Sequence, residues 1–179
     1  THMPEQNHAG RDLANFRKQI AQARLLSRRL YGMYARELFL GGADRDFLEA
    51  ENYFQTQVAS PDRSTDEITE GCCVAAKAAR LRGDAVSFFK YTSKVIAGDG
   101  CSEICCELGH FYEETGDFEE AAVWYYNAAY ETQPVLALRS SEEEPLQGLI
   151  RCYEQLGLPA QARSYAEELK HRQNEQTDN

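Results

Sequence analysis

Proline is scarce in this chain, with 5 among 179 residues, while alanine, leucine, glutamate and arginine are common. That balance favours helix. No apolar run approaches the roughly 20 residues that a helix needs to cross a bilayer, so no membrane span is expected. No signal peptide is visible, and a cytoplasmic location is the corresponding expectation. No strand-like alternation emerges along the chain. The leading Thr1-His2-Met3 reads as a vector remnant and is set aside.

Positive charge is also in short supply. The net charge is −10, from 19 Lys and Arg against 29 Asp and Glu. Residues 1–40 carry +4 and residues 41–179 carry −14. An acidic body argues against nucleic acid, because phosphate binding needs a basic face. The basic N-terminal part suits docking on an acidic surface, its own or a partner's. A homodimer through this N-terminal helix is one arrangement it allows; a solvated helix face is the plainer one.

Hydrophobic residues make up 42% and charged residues 27%, an ordinary globular balance in a chain long enough for one domain with a real core. The six cysteines are Cys72, Cys73, Cys101, Cys105, Cys106 and Cys152. Without an export signal they are expected reduced. The two adjacent pairs lie in helical patterns, where neighbours point apart and rarely bridge.

Apolar residues at steps of three and four divide the chain into eight predicted helices. The first runs from an Asp12 cap through Leu13, Phe16, Ile20, Ala23, Leu26, Leu30, Tyr34 and Leu38 to Gly41-Gly42, with breaks conceivable near Ser27 or Gly32. The second carries Phe47, Ala50, Phe54 and Val58 and stops at Ser60-Pro61-Asp62. Ser64 or Thr65 with Glu67 starts the third, which ends at Gly83. The fourth carries Val86, Phe89, Val95 and Ile96, closing at Gly98-Asp99-Gly100. Ser102 is the expected cap of the fifth, and Gly116-Asp117 turns into the sixth. After a loop over 132–140, Ser140 or Ser141 caps the seventh. Gly157 and Pro159 lead into the eighth. Residues 1–10 are expected to be a disordered lead and 173–179 a polar tail. The helical domain spans 11–172, in units of about 11–60, 64–98, 102–131 and 141–171.

The segment from Glu103 to Tyr130 carries Leu108-Gly109, Tyr112, Gly116-Asp117-Phe118, Ala121, Tyr125 and Ala128. It closely resembles the tetratricopeptide repeat. Leu149, Tyr153, Gly157, Ala162 and Ala166 repeat part of that pattern, and Gly83-Asp84 marks the unit before. The resemblance implies an all-α, right-handed solenoid of about four helix pairs, acting as a non-catalytic scaffold for a protein or peptide, with no cofactor. More narrowly, EICCELG, followed by a G-D-[FY]-E-x-A-x-x-W-Y run and a helix pair after a longer loop, resembles the C-terminal repeat region of Firmicute family 2 glycosyltransferases over about 30–170, with the specific match within 103–170, which implies an accessory role in oligomerisation or acceptor binding. The preceding nucleotide-sugar domain of those proteins has no counterpart here. Nor is the family's tryptophan- and glycine-rich loop present where Pro134-Val135-Leu136-Ala137-Leu138 stands.

The resemblance places the partner-binding inner face at Glu70, Cys73, Lys77 and Arg80, then Glu103, Cys106, His110 and Glu113, then Glu144, Gly148, Arg151 and Glu154. Lys77, Arg80 and Arg151 suit an acidic partner and the glutamates a basic one; a merely solvated face is the plain alternative. Cys106 and His110 share a helix face, and Cys73 would join them if the units stack regularly, a weak zinc candidate. Free cysteines are more often small buried hydrophobes. A thiol nucleophile needs an electropositive setting, and Glu103, Glu107, Glu113 and Glu114 oppose one. Asp44-Arg45-Asp46 has the spacing of a glycosyltransferase metal motif, but is expected to start a helix. Trp124, in a cluster with Tyr125, Tyr126 and Tyr130, is expected to pack against the next unit, with an exposed hot spot as the alternative.

Overall fold

The computed structural model describes the backbone of residues 4–21 and 28–178, and the side chains of 12–20 and 29–178. The chain is all-α, with helices packed on their neighbours and no strand among the described residues. It divides into two compact units, Thr1–Val95 and Ile96–Asn179, where the sequence suggests one domain. In a helical repeat each element touches mainly its neighbours, so such a division comes readily.

The first unit holds α1 (Pro4–Ala21), α2 (Arg28–Gly41), α3 (Asp44–Val58), α4 (Thr65–Leu81) and α5 (Ala85–Ile96, ending at the boundary). What reads in sequence as one helix from Asp12 to Gly41 is thus assigned to two. Asp12 lies inside α1 and Gly32 inside α2; Ala23, Leu26 and Ser27 lie outside the described residues. The helix starts at Pro4 within the lead expected to be disordered, and proline's fixed φ suits a first helical position.

Aromatic contacts join α1, α2 and α3. Phe16 stacks on Tyr34 at 4.9 Å, Tyr31 and Tyr34 meet Phe54 at 5.2 and 5.1 Å, and Phe39 meets Phe47 edge-on at 5.1 Å. Centroid separations of this size are the favoured range for ring pairs. α4 is buried nearly all round from Gly71 to Ala79, which explains its run of Cys, Ala and Val. Gly71 makes room for Tyr31, whose hydroxyl would lie 2.1 Å from a Cβ there. That hydroxyl instead donates to the Glu67 carbonyl at 2.8 Å. Ser64 and Glu67 form the capping box expected of them: Glu67 N–H donates to Ser64 Oγ, and Ser64 N–H to Glu67 Oε1.

The second unit holds α6 (Ser102–Glu114), α7 (Phe118–Tyr126), a π-turn (Asn127–Glu131), a 3-10 turn (Leu138–Ser141), α8 (Glu143–Gln155) and α9 (Pro159–Thr177). α6 is buried on every side from Ser102 to Gly109. Tyr125 on α7 packs with Ala121, Ala122, Leu146, Leu149 and Cys152. A smaller cluster of Cys105, Cys106 and Ala128 lies under Trp124.

Two expected caps are otherwise occupied. Ser102 lies inside α6, and its hydroxyl donates to the Ala128 carbonyl at 2.9 Å, tying α6 to the π-turn. Ser140 and Ser141 belong to the 3-10 turn, leaving Glu142 to precede α8. The expected polar tail continues α9 to Thr177. Arg172 helps anchor it, donating to the Ser141 carbonyl and pairing with Glu142 and Glu168.

One local structure recurs three times. α4, α6 and α8 each end at a glycine with positive φ: Gly83 at 77°, Gly116 at 82° and Gly157 at 71°. At each, the glycine N–H donates three residues back, to Arg80, Glu113 and Glu154, all at 3.1 Å. The next N–H donates five back, to Ala79, Tyr112 and Tyr153, all at 2.9 Å. This is the Schellman turn, which needs a left-handed residue just past the helix end.

Candidate interaction site

On α6 the stripe Glu103, Cys106, His110, Glu113 follows steps of three and four, so these residues share one side of the helix. The structure tilts that stripe into the protein at its N-terminal end. Glu103 is fully buried and Cys106 nearly so, whereas His110 and Glu113 are part-exposed. Glu103 and Cys106 are therefore not available as a partner-binding surface.

Glu103 has a different role. Its Oε1 accepts from Val135 N–H, and its Oε2 from Leu136 and Ala137 N–H, each at 2.9 Å. One carboxylate thus satisfies three successive donors of the connector between α7 and α8. An unpaired buried N–H would be costly, and charge-assisted hydrogen bonds are the stronger kind. Cys106 Sγ donates to the Ser140 carbonyl at 3.1 Å, and burial pushes its thiol well above the ordinary range, with Glu144 and Glu107 adding to the shift. Cys105 and Cys152 are pushed up to about 12 by burial. All six cysteines are buried, a setting opposite to the one a nucleophilic thiol needs.

At its outer end the stripe joins a polar chain linking α6, α7 and α8. The Tyr125 hydroxyl donates to Glu113 Oε1 at 2.6 Å, so it accepts in its 2.8 Å contact with His110 Nδ1. His110 Nε2 meets Glu144 Oε1 at 2.9 Å. Arg151 grips Glu113 with two donors, at 2.7 and 3.0 Å, a forked geometry well matched to carboxylate. Burial would raise the Glu113 carboxyl, but the hydrogen bonds from Arg151 and Tyr125 hold it below its ordinary value. Burial and then the Glu113 contact raise the Tyr125 phenol. Gly148 is buried beneath the Tyr125 ring. Of the expected face on α8, Arg151 and Glu154 remain exposed.

In the first unit the corresponding stripe is not an open face. Cys73 is fully buried. Lys77 is half-buried, its ammonium 4.4 Å from the Phe47 ring centre and 5.6 Å from that of Phe39. Glu70 lies against α2, where a Cβ on Gly32 would come within 3.3 Å of its carboxylate. Arg80 is half-buried. At Glu70 and Lys77 the physical reason is α2, which packs along α4 and brings Gly32 against Glu70 and Phe39 beside Lys77.

The metal candidates fare likewise. Cys106 is engaged with Ser140, and both nitrogens of His110 are engaged with Tyr125 and Glu144. Among the described residues, no group of three or more His, Cys, Asp or Glu side chains is placed to hold a metal ion. Asp44 and Asp46 stand in the first turn of α3, as expected of a helix start. Asp46 accepts from Ala43 N–H at 2.8 Å and pairs with Arg17 at 3.1 Å.

Sequence reasoning missed an apolar groove of about 380 Å³ in the second unit, lined by Glu119, Ala122, Val123, Tyr126, Asn127, Tyr153, Leu156 and Leu158. Val123 is 52% exposed, Tyr126 42% and Leu158 41%. The signal was present: Glu119, Ala122, Val123 and Tyr126 fall at i, i+3, i+4 and i+7, a complete helical stripe. It was hidden because Ala121, Ala122 and Tyr125 define a second stripe that claims the core. Beside the groove, Tyr126 and Tyr130 lie 4.7 Å apart, and Tyr153 stacks on Tyr165 at 5.6 Å. Trp124 packs within its own helix pair and not on the next one, half-buried over Cys105, Cys106 and Ala128, with its indole N–H donating to Glu120 at 3.2 Å.

Comparison with known protein families, curated proteins and solved structures yields no match.

Proposed function

We propose that this chain is a protein-binding scaffold built from helix pairs of the tetratricopeptide type, with no catalytic chemistry of its own. The observation that carries the binding role is the groove between α7, α8 and the turn into α9. It exposes three large apolar side chains side by side, and contiguous exposed apolar surface marks interaction sites more often than chance. The thrice-repeated glycine turn supports the repeat architecture. The burial of the thiols, with raised pKa values at Cys105, Cys106 and Cys152, speaks against nucleophilic chemistry at the cysteines.

Affinity capture from cells of origin tests the reading, comparing the unaltered chain with a Val123→Asp/Leu158→Asp variant. Both positions are exposed, so the variant should fold. A defined set of proteins retained by the unaltered chain and lost with the variant is the expected result. Identical retention by both would remove the groove as a binding site. Turnover of a sugar nucleotide by the chain alone would overturn the non-catalytic part.

A further inference from the structure

We infer that the occupant of the α7–α8 groove is a basic segment of a partner protein, one that sets an aliphatic or aromatic anchor beside lysine or arginine. This rests on the scaffold reading above and specifies its partner.

Charge complementarity is the first ground. The second unit carries 17 Asp and Glu against 5 Lys and Arg, a net charge of −12. The remainder of the chain carries a small positive net charge, so the negative field belongs to the unit that holds the groove. Of the eight groove-lining residues the single charged one is acidic, Glu119, in the first turn of α7. Arg151 and Arg172, two of the unit's five cations, are committed to Glu113 and to Glu142 and Glu168. A like-charged segment would meet repulsion here, whereas a basic one is steered in.

The shape of the groove supplies the second ground. Its floor is apolar, and its volume suits one or two large side chains rather than an extended ligand. The stripe Glu119, Val123, Tyr126 runs along α7 with its carboxylate at one end. A partner anchor resting on Val123, Tyr126 and Leu158 therefore has an acceptor for a neighbouring cation. Apolar anchors give most of the affinity at such contacts, and the surrounding charges give partner choice and encounter rate.

The test is fluorescence anisotropy with three labelled peptides of the same length. The first places leucine at helical spacing among lysines, the second replaces every lysine by glutamate, and the third replaces every leucine by serine. The full chain is titrated unaltered, as Val123→Asp/Leu158→Asp and as Glu119→Lys, each checked for folding by circular dichroism. The expected result is binding of the leucine–lysine peptide alone, weakened about tenfold or more in the groove variant and several-fold in Glu119→Lys. Groove-dependent binding of the glutamate peptide at equal affinity overturns the basic-partner inference and leaves the scaffold reading intact. Equal binding of the leucine–lysine peptide to the unaltered chain and the groove variant reveals a charge effect only and overturns the groove for both. No binding of any peptide overturns the inference.

Discussion

The Tyr125 ring is held between the backbones of two helices, and that geometry sets the outcome of a simple substitution. A Cβ on Gly109 of α6 would lie 2.6 Å from Cδ1 and Cε1 of the ring; a Cβ on Gly148 of α8 would lie 2.6 Å from Cδ2 and Cε2. These are opposite edges, so the ring cannot move off one methyl without advancing on the other helix. Its hydroxyl is also fixed between His110 and Glu113. On helix propensity alone, Gly→Ala should stabilise each helix by about 1 kcal/mol. Overpacking a full core costs about 1–3 kcal/mol, and with no direction of escape the upper half of that range applies. Gly109→Ala and Gly148→Ala should therefore each destabilise the second unit by roughly 1–2 kcal/mol net. The double variant should lose more than the two single losses together, because each methyl blocks the displacement that relieves the other. Gly32→Ala is the control: its new methyl meets only the movable end of Glu70, at 3.3 Å, and should be neutral or mildly stabilising. The assay is urea unfolding followed by tryptophan fluorescence, since the one tryptophan, Trp124, adjoins Tyr125 and reports on this unit. A domain of this size loses on the order of 1–2 kcal/mol per molar urea, so each single substitution should lower the midpoint by about 1 M. A midpoint unchanged or raised by Gly148→Ala would refute the clamp.

Three further outcomes follow from the same structure. Glu103→Gln keeps one acceptor oxygen for three N–H groups and should cost about 2–3 kcal/mol, with amide exchange at 135–137 accelerating ahead of the rest; uniform exchange would refute the anchoring role. Hydrogen bonds hold the Glu113 carboxyl below its unfolded value, so its stabilisation is present above the unfolded pKa and lost as pH falls through the lower folded one. Acid unfolding of the second unit should show this loss below about pH 4, and it should shrink in Arg151→Met; an identical acid profile for that variant would count against it. Ellman's reagent should find the six buried thiols nearly unreactive in the native chain and reactive only on unfolding; prompt native reaction of any one would contradict the burial described.

The helix ends were largely legible in the sequence because they rest on local chemistry. A positive-φ corner needs glycine, and Gly83, Gly116 and Gly157 stand where the pattern puts them. Ser64 with Glu67 is a cap that three residues suffice to specify. The failures share the opposite character. Ser102, Ser140 and Ser141 look like caps locally, but partners at Ala128 and Leu138 claim two of their hydroxyls. Glu103 reads as a first-turn acid on a helix surface, and only the folded connector reveals the three amides that bury it. The repeat pattern placed an open face at Glu70, Cys73, Lys77 and Arg80, and it had no means of anticipating that α2 would lie against Glu70 and Lys77. In the second unit it correctly gathered His110, Glu113, Glu144 and Arg151 to one region. The network that joins them runs through Tyr125, a residue the pattern assigned to the core alone.

The Glu103 anchor also bears on how the chain tolerates change. Its carboxylate grips backbone amides and ignores the side chains attached to them, so the hold on Val135, Leu136 and Ala137 is indifferent to their identity except for proline, which lacks the N–H. The exposed positions of the connector thereby become replaceable around a built-in fastening, while Leu136 and Ala137 stay buried. Exposed Val135 and Leu138 offer sites where new residues, a label or a binding motif can be installed, while the spacing between α7 and α8 stays set by a residue some thirty positions upstream.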